Sequence, residues 1–323
     1  MGTDLFFCSK NRSVPILTLP TIPRIFPTGV RYNAATMFAL LKKAPRWSAL
    51  LVALTLLGCS TVKFAYNNVD WVLLDKADDY LDLNDAQKER ARQLVAARMD
   101  AHRREELPVY IATLKEVRVM LADNLTPTEV ETLKKKIPAV YRRTMRDTIP
   151  GIVSLLAELD DAQIAHLQAR FEERNREFEE NFMPESMQVR YERRVDRSIT
   201  MVEFFIGTLR PEQVELIARR RNTMPITAED WLAYHQSRQR ELLSMLRARA
   251  TDEALEQFLV AWWVELDDQP PALARKMRLN TKAWSQMMLA LDATLDAQQR
   301  QNLLDKLDLF IEAFEELVPE KAA

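Results

Sequence analysis

Glycine scarcity constrains this chain more than any motif it carries. The 323-residue sequence holds five glycines, and only Gly151 and Gly207 lie beyond Cys59. Hairpin turns call on glycine for positive φ, and phosphate-cradling loops need it for close backbone approach. Hairpin-rich β folds, Rossmann units and P-loops are therefore poor fits. Ala, Leu, Glu, Arg and Gln are abundant, and all are strong helix formers. The expectation is an all-α fold, built as a multi-helix antiparallel bundle or an extended cradle.

A short motif recurs at the expected helix starts. It reads Leu83-Asn84-Asp85-Ala86-Gln87, Leu125-Thr126-Pro127-Thr128-Glu129, Leu159-Asp160-Asp161-Ala162-Gln163, Leu209-Arg210-Pro211-Glu212-Gln213 and Leu295-Asp296-Ala297-Gln298-Gln299. Ile226-Thr227-Ala228-Glu229-Asp230 is a looser copy. The second residue is the expected N-cap and the fifth the expected return arm of a capping box. Pro127 and Pro211 fall where a missing N–H costs nothing. Arg210 makes a poor cap. The copies have no fixed period, which argues against a solenoid. The segments behind them are amphipathic, as in the stripe Ile164, Leu167, Phe171, Phe178 and Phe182.

The N-terminal region reads differently. Lys42, Lys43 and Arg46 precede the apolar run from Trp47 to Leu57, which stops at Gly58-Cys59-Ser60. A positive region, a short apolar region and small residues at its end form an export signal. The run is too short for a membrane span, which needs about 20 residues. With Cys directly after Gly58, it resembles a bacterial lipoprotein signal. That resemblance implies cleavage between Gly58 and Cys59, a diacylglycerol on the Cys59 thiol and acylation of the new amino terminus. Residues 37–58 are then the signal, 59–65 a lipidated tether and 66–318 the helical domain, with halves 66–224 and 225–318 meeting at a hinge near Thr223–Ile226. Residues 1–36, which include Pro15, Pro20, Pro23, Pro27 and Cys8, are either a start assigned too far upstream or a disordered extension. Ser60, where Asp would signal inner-membrane retention, points to the periplasmic face of the outer membrane in a Gram-negative host.

Seven of the 45 Lys/Arg and one of the 47 Asp/Glu precede Cys59, so the remaining 265 residues carry a net charge of −8. An acidic body is a poor match for nucleic acid. With Cys59 acylated, no disulfide can form beyond it, and core burial alone must hold the domain.

Tyr66-Asn67-Asn68-Val69-Asp70-Trp71, then Asp79-Tyr80, then His102-Arg103-Arg104-Glu105-Glu106-Leu107-Pro108 with Tyr110, form a distinctive string. Together with the signal it resembles a family of proteobacterial lipoproteins of unknown function. That resemblance implies an all-helical envelope lipoprotein and supplies no activity. More loosely, the Leu-x-x-x-Gln boxes are similar to the LTxxQ motif of periplasmic chaperones of the Spy and CpxP type. Those are helical, cradle-shaped homodimers that bind unfolded clients. Here only Leu125-Thr126 carries the Thr, and that copy ends in Glu129.

Candidate chemistry is sparse. His102, Glu105 and Glu106 have the spacing to share a helix face, which is part of a metal-ligand set. No second His stands nearby, so pairing of His102, Arg103 and Arg104 with Asp78, Asp79 or Asp82 is the favoured role. No metal, cofactor or catalytic residue is assigned. Arg219–Arg221 and Arg190, Arg193 and Arg194 read as solvated helix faces. Trp262, Trp263, Met277, Trp284, Met287 and Met288 are the best candidates for an interaction surface, although core packing would produce the same pattern.

The expected function is a lipid-anchored envelope binding protein, chaperone-like or an adaptor. A structural scaffold is the alternative, and a metal enzyme around His102 a distant third. The membrane, through Cys59, and a polypeptide client or envelope protein are the expected partners. Replacing Thr126 with Ala is expected to cost about 0.5–2 kcal/mol through loss of its cap. Thermal melting checks this, and an unchanged transition would show that no helix starts there.

Overall fold

Side-chain amides, two from each half of the molecule, organise the helices. The computed structural model describes residues 57–319, and no strand occurs among them. The helices are α1 (Leu57–Asn67), α2 (Val69–Leu81), α3 (Asp85–Ala101), α4 (Leu107–Met120), α5 (Pro127–Leu156) and α6 (Asp161–Phe182). They continue with α7 (Met187–Ile206), α8 (Pro211–Thr223), α9 (Ala228–Arg247), α10 (Asp252–Leu259), α11 (Pro271–Asp292) and α12 (Ala297–Glu315). Two π-helical turns, His102–Glu106 and Val260–Glu265, interrupt the α geometry. Among the described residues no helix is long and apolar enough to cross a membrane.

The boxes begin α3, α5, α6, α8 and α12, as expected. Asn84, Thr126, Asp160 and Asp296 each accept from the backbone N–H three residues on. The Gln boxes do more than cap. Gln87 and Gln163 are buried face to face, with Gln163 Nε2 donating to Gln87 Oε1 at 2.7 Å and Gln87 Nε2 to Gln163 Oε1 at 3.3 Å. Gln213 and Gln299 repeat the arrangement at 2.8 and 2.9 Å.

Each amide also donates to the carbonyl just before the Leu of the opposite box. Gln87 reaches Glu158 O, Gln163 reaches Asp82 O, Gln213 reaches Thr294 O and Gln299 reaches Thr208 O. Each Oε1 accepts its own N-cap N–H as well. A primary amide has two donors and two acceptor sites. Here all four are used, and so the group can be buried without leaving a polar atom unpaired. Glu offers no donor, which explains why the box ending in Glu129 stands alone and exposed.

These pairs define an internal repeat. In the first repeat α2 packs on α3 and α6, and α3 packs on α5. In the second, α7 packs on α8 and α12, and α8 packs on α11. The intervening helices are exchanged, because α4 of the first repeat lies on α12 and α9 of the second lies on α6. The repeats meet at residues 183–186, where Ser186 caps α7. The amide pairs thus divide the chain at a different place from the halves expected to meet at Thr223–Ile226. That segment is a break inside the second repeat, with Met224 buried and the Arg194 guanidinium on the carbonyls of Met224 and Pro225.

Other expectations change on burial. Residues 60–65, read as a tether, belong to α1, which packs on α12 and is pinned by the Lys63–Glu316 ion pair. Thr227 makes no cap, and Asp230 instead pairs with Lys276 at 2.6 Å. Arg210 does not cap α8; its guanidinium crosses to Asp296 at 2.6 Å and to Thr294 O at 2.5 Å. The basic runs are partly structural, with Arg221 buried over the Trp284 ring and Arg190 bonded to Pro184 O and Glu229.

Among the described residues Gly207 is the one glycine with a positive φ. It ends α7 with φ 80° and ψ −162°, a region open essentially to glycine. A Cβ there would lie 2.8 Å from Asn302 Nδ2, which donates to Ile206 O.

Gln213→Glu should destabilise the protein by at least about 2 kcal/mol, since a buried donor is lost and a carboxylate faces Gln299 Oε1. Glu129→Gln, at the exposed box, should stay within about 0.5 kcal/mol of wild type. Urea denaturation midpoints separate the two. Equal effects would mean that the buried amides only cap their own helices.

Candidate functional site

Pro108 sets the geometry of the most elaborate polar cluster. Its ring has no N–H to continue the α-helical ladder. The chain answers with a wider turn over His102–Glu106, in which Leu107 N–H donates to His102 O. Such π turns are frequent at functional sites. The wider turn carries Glu106 inward and leaves Glu105 in solvent, so His102, Glu105 and Glu106 do not converge as one ligand face. Among the described residues no group of three or more His, Cys, Asp or Glu side chains is placed to hold a metal.

The inward groups meet partners from four helices. Glu106, 2% exposed, is paired with the Arg98 guanidinium of α3 at 2.5 Å and accepts from Thr144 Oγ1 of α5 at 2.5 Å. Arg98 also donates to Thr148 Oγ1 and Thr144 O. His102 joins Tyr66 of α1 at 2.7 Å through Nδ1 and Tyr110 of α4 at 3.3 Å through Nε2. Tyr110 OH bonds Thr144 Oγ1, closing the chain. Arg103 lies over the Tyr66 ring, 5.4 Å from its centroid.

Burial holds the His102 imidazole below its ordinary value, although Glu106 pulls the other way. Burial pushes Tyr66 up to about 12 and also raises Tyr110. Both tyrosines keep their hydroxyl protons, and burial disfavours the charged form of His102. Among the described residues the partners of the His102 ring nitrogens are Tyr66 and Tyr110, and no Ser or Cys bonds to them as a nucleophile would. What the cluster does chemically is tie α1 to α3, α4 and α5 through hydrogen bonds.

The expected pairing of His102, Arg103 and Arg104 with the acidic end of α2 does not form. Arg104 pairs with Asp100 of its own helix. Asp79 is taken by Arg170 at 2.8 Å and Arg174 at 3.2 Å, both from α6. Burial alone would raise the Asp79 carboxyl, but Arg170 and its neighbours outweigh this and hold it low. Arg174 also lies over the ring of Tyr80, which packs edge-on against Phe171. Leu107 is fully buried. Asn67, Asp70 and Trp71 stand exposed on α1 and α2.

The Trp and Met residues expected as an interaction surface are mostly interior. Trp262 is 4% and Met287 1% exposed. Trp262, Trp263 and Met277 belong to the core around α5, α6, α9 and α10, and Trp284 and Met287 to the core of the second repeat. Only Met288 remains open to solvent. Helical spacing of large apolar residues here reports core packing, and the two groups do not share a face.

The residues from Asp79 to Val264 match the model of a family of unknown function, DUF6279. The chain belongs to that family. The DUF6279 match spans the π turn, the Arg98–Glu106 pair, the Gln87–Gln163 pair and Gln213, and it leaves α1 and the Gln299 box outside. No curated protein and no solved structure matches the chain.

A second buried histidine makes the acid response of the fold measurable. His235 stacks on Trp231 at 5.3 Å, its Nε2 has no hydrogen-bond partner, and burial pushes it down to about 4. Its folded value lies below the unfolded value of about 6.5, so the unfolded chain binds the proton first and stability falls as pH drops from about 6.5 toward 4. The loss from this group is roughly 3 kcal/mol over that window. His102, shifted the same way, adds to it. His235→Phe should flatten the acid limb of stability against pH in urea titrations. An unchanged limb would contradict the burial of a neutral imidazole.

Proposed function

We propose that this chain is a lipid-anchored protein of the bacterial envelope. On this reading it acts by binding an envelope protein as a non-catalytic adaptor, on the periplasmic face of the outer membrane. The run from Lys42 to Cys59 carries the reading, since its charge, length and terminal Gly58-Cys59 fit acylation of the Cys59 thiol. The signal from Met37 to Leu56 and the leader 1–36 lie outside the described residues, and Cys59 lies in the first turn of α1. Two or more acyl chains hold a protein on a bilayer durably, whereas one gives marginal binding.

Burial favours one of the two kinds of binding protein. A holder of varied clients needs a broad adaptable apolar surface. Trp262 and Met287 are buried, and the Leu-x-x-x-Gln glutamines are consumed in pairing helices. That favours a fixed partner over many clients, and it removes the main reason for likening the boxes to those of the Spy and CpxP chaperones. The side chains around His102 are spent on hydrogen bonds that join helices, which favours a non-enzymatic role.

The test is made on protein recovered from bacterial membranes. Intact mass should show a diacylglycerol-modified, acylated Cys59 as the first residue, and Cys59→Ala should abolish both processing and membrane retention. An unmodified Cys59 would defeat the anchor. In an aggregation assay with two unrelated unfolding proteins, near-stoichiometric amounts should suppress neither. Suppression of both would restore the chaperone reading.

A further inference from the structure

The first two helices present an apolar face that nothing in the fold covers. Phe64 is 71% and Trp71 60% exposed, although these are residues that proteins bury when they can. They stand seven residues apart, Phe64 on α1 and Trp71 in the first turn of α2, on either side of the break at Asn68. Thr61, Asn67 and Asn68 lie between and beside them, all exposed. Between Thr61 and Trp71 the charged residues are Lys63 and the exposed Asp70, one of each sign. Lys63 is engaged with Glu316, and Asp70 accepts from the Trp71 backbone N–H at 2.8 Å.

We infer that this Phe64–Trp71 face seats the protein on a phospholipid bilayer, with both rings at the boundary between headgroups and acyl chains. The inference rests on the lipid anchor proposed above. Cys59 is five residues before Phe64 on the same helix, about 7.5 Å along its axis. An acyl chain on residue 59 would hold the start of α1 at the bilayer surface, which brings Phe64 within reach of the layer where interfacial helices bury their apolar side chains. Trp71 reaches that layer only if α1 and the start of α2 lie along the surface. Trp in particular favours this layer, where its ring is apolar and its N–H stays wet.

Charge argues the same way. The body beyond Cys59 carries a net −8 and is repelled by an anionic surface, so a segment of no net charge with two exposed aromatic rings is the part able to approach one. The seat would also orient the whole molecule. Helix α1 is fixed to the body by Tyr66–His102 and by Lys63–Glu316, so the two repeats would be held at one angle to the membrane.

Bromolipid quenching tests the seat. Membrane-extracted protein, with the state of Cys59 read by intact mass, is reconstituted into phosphatidylethanolamine–phosphatidylglycerol vesicles with or without brominated acyl chains. Bromination should quench part of the tryptophan fluorescence. Trp71→Phe should remove most of that quenching, and Phe64→Trp in the Trp71→Phe background should restore it. Both side chains are exposed, so melting temperatures should stay at the wild-type value. Equal fluorescence in the two vesicle types, with Cys59 acylated, overturns the seat and leaves the anchor standing. Quenching with Cys59 unmodified keeps the seat and removes the anchor. Absence of quenching together with cross-linking between residues 71 of two copies overturns the seat and assigns the face to a second copy of the chain.

Discussion

A buried primary amide must satisfy two donors and two acceptor sites, and the whole architecture follows from how four glutamines meet that demand. Each occupies the third position of a helix and accepts the N-cap N–H behind it. The rest of its capacity can be met only by another helix start presenting the same groups. Gln87 finds Gln163, and Gln213 finds Gln299. The pairing brings helix N-termini together in the core, where free N–H groups would otherwise be costly. Because each amide also takes the carbonyl ahead of the opposite box, the loop entering each helix is fixed together with the helix. Register and angle are set at one point, and the apolar stripes of α2, α3, α5 and α6, or of α7, α8, α11 and α12, then close around it.

The repeat explains features that look unrelated along the chain. The exchange of α4 and α9 makes neither half complete alone, since the helix covering α12 comes from the first repeat and the one covering α6 from the second. The π turn at His102–Glu106 lies where α3 leaves the first amide pair for α4. Pro108 forces the turn, the turn points Glu106 inward, and Arg98, Thr144, Tyr110, His102 and Tyr66 satisfy it in sequence. That chain of bonds ends on α1. The segment carrying Cys59 is thus joined to the body by a buried polar network rather than by loose linker.

Much of the fold was legible because its signals are local. Glycine scarcity, the capping pattern and the 3.6-residue stripes act within a few residues, and the helix starts at Asn84, Thr126, Asp160 and Asp296 stand where they indicate. Gln rather than Glu at the fifth box position was also present in the sequence as the mark of a paired box. Its meaning emerges only when two boxes are seen in contact across 76 or 86 positions. The Trp and Met cluster misled for the opposite reason, because spacing along a helix shows that a stripe exists and not whether another helix covers it. Likewise the charges of Arg103, Arg104 and Asp79 were visible, but their partners depend on a turn that Pro108 widens and on Arg170 from a helix about 90 residues away. Residues 60–65 carried too short a pattern to be read as helix, and their docking on α12 is tertiary.

Side-chain hydrogen exchange followed by NMR would test the amide pairing most directly. The account predicts that the carboxamide protons of Gln87, Gln163, Gln213 and Gln299 exchange far more slowly than those of exposed glutamines. It also predicts cross-peaks joining Gln87 to Gln163 and Gln213 to Gln299. Rapid exchange at all four, with no contact between the amides, would show that the boxes only begin helices, and the internal repeat would lose its physical basis.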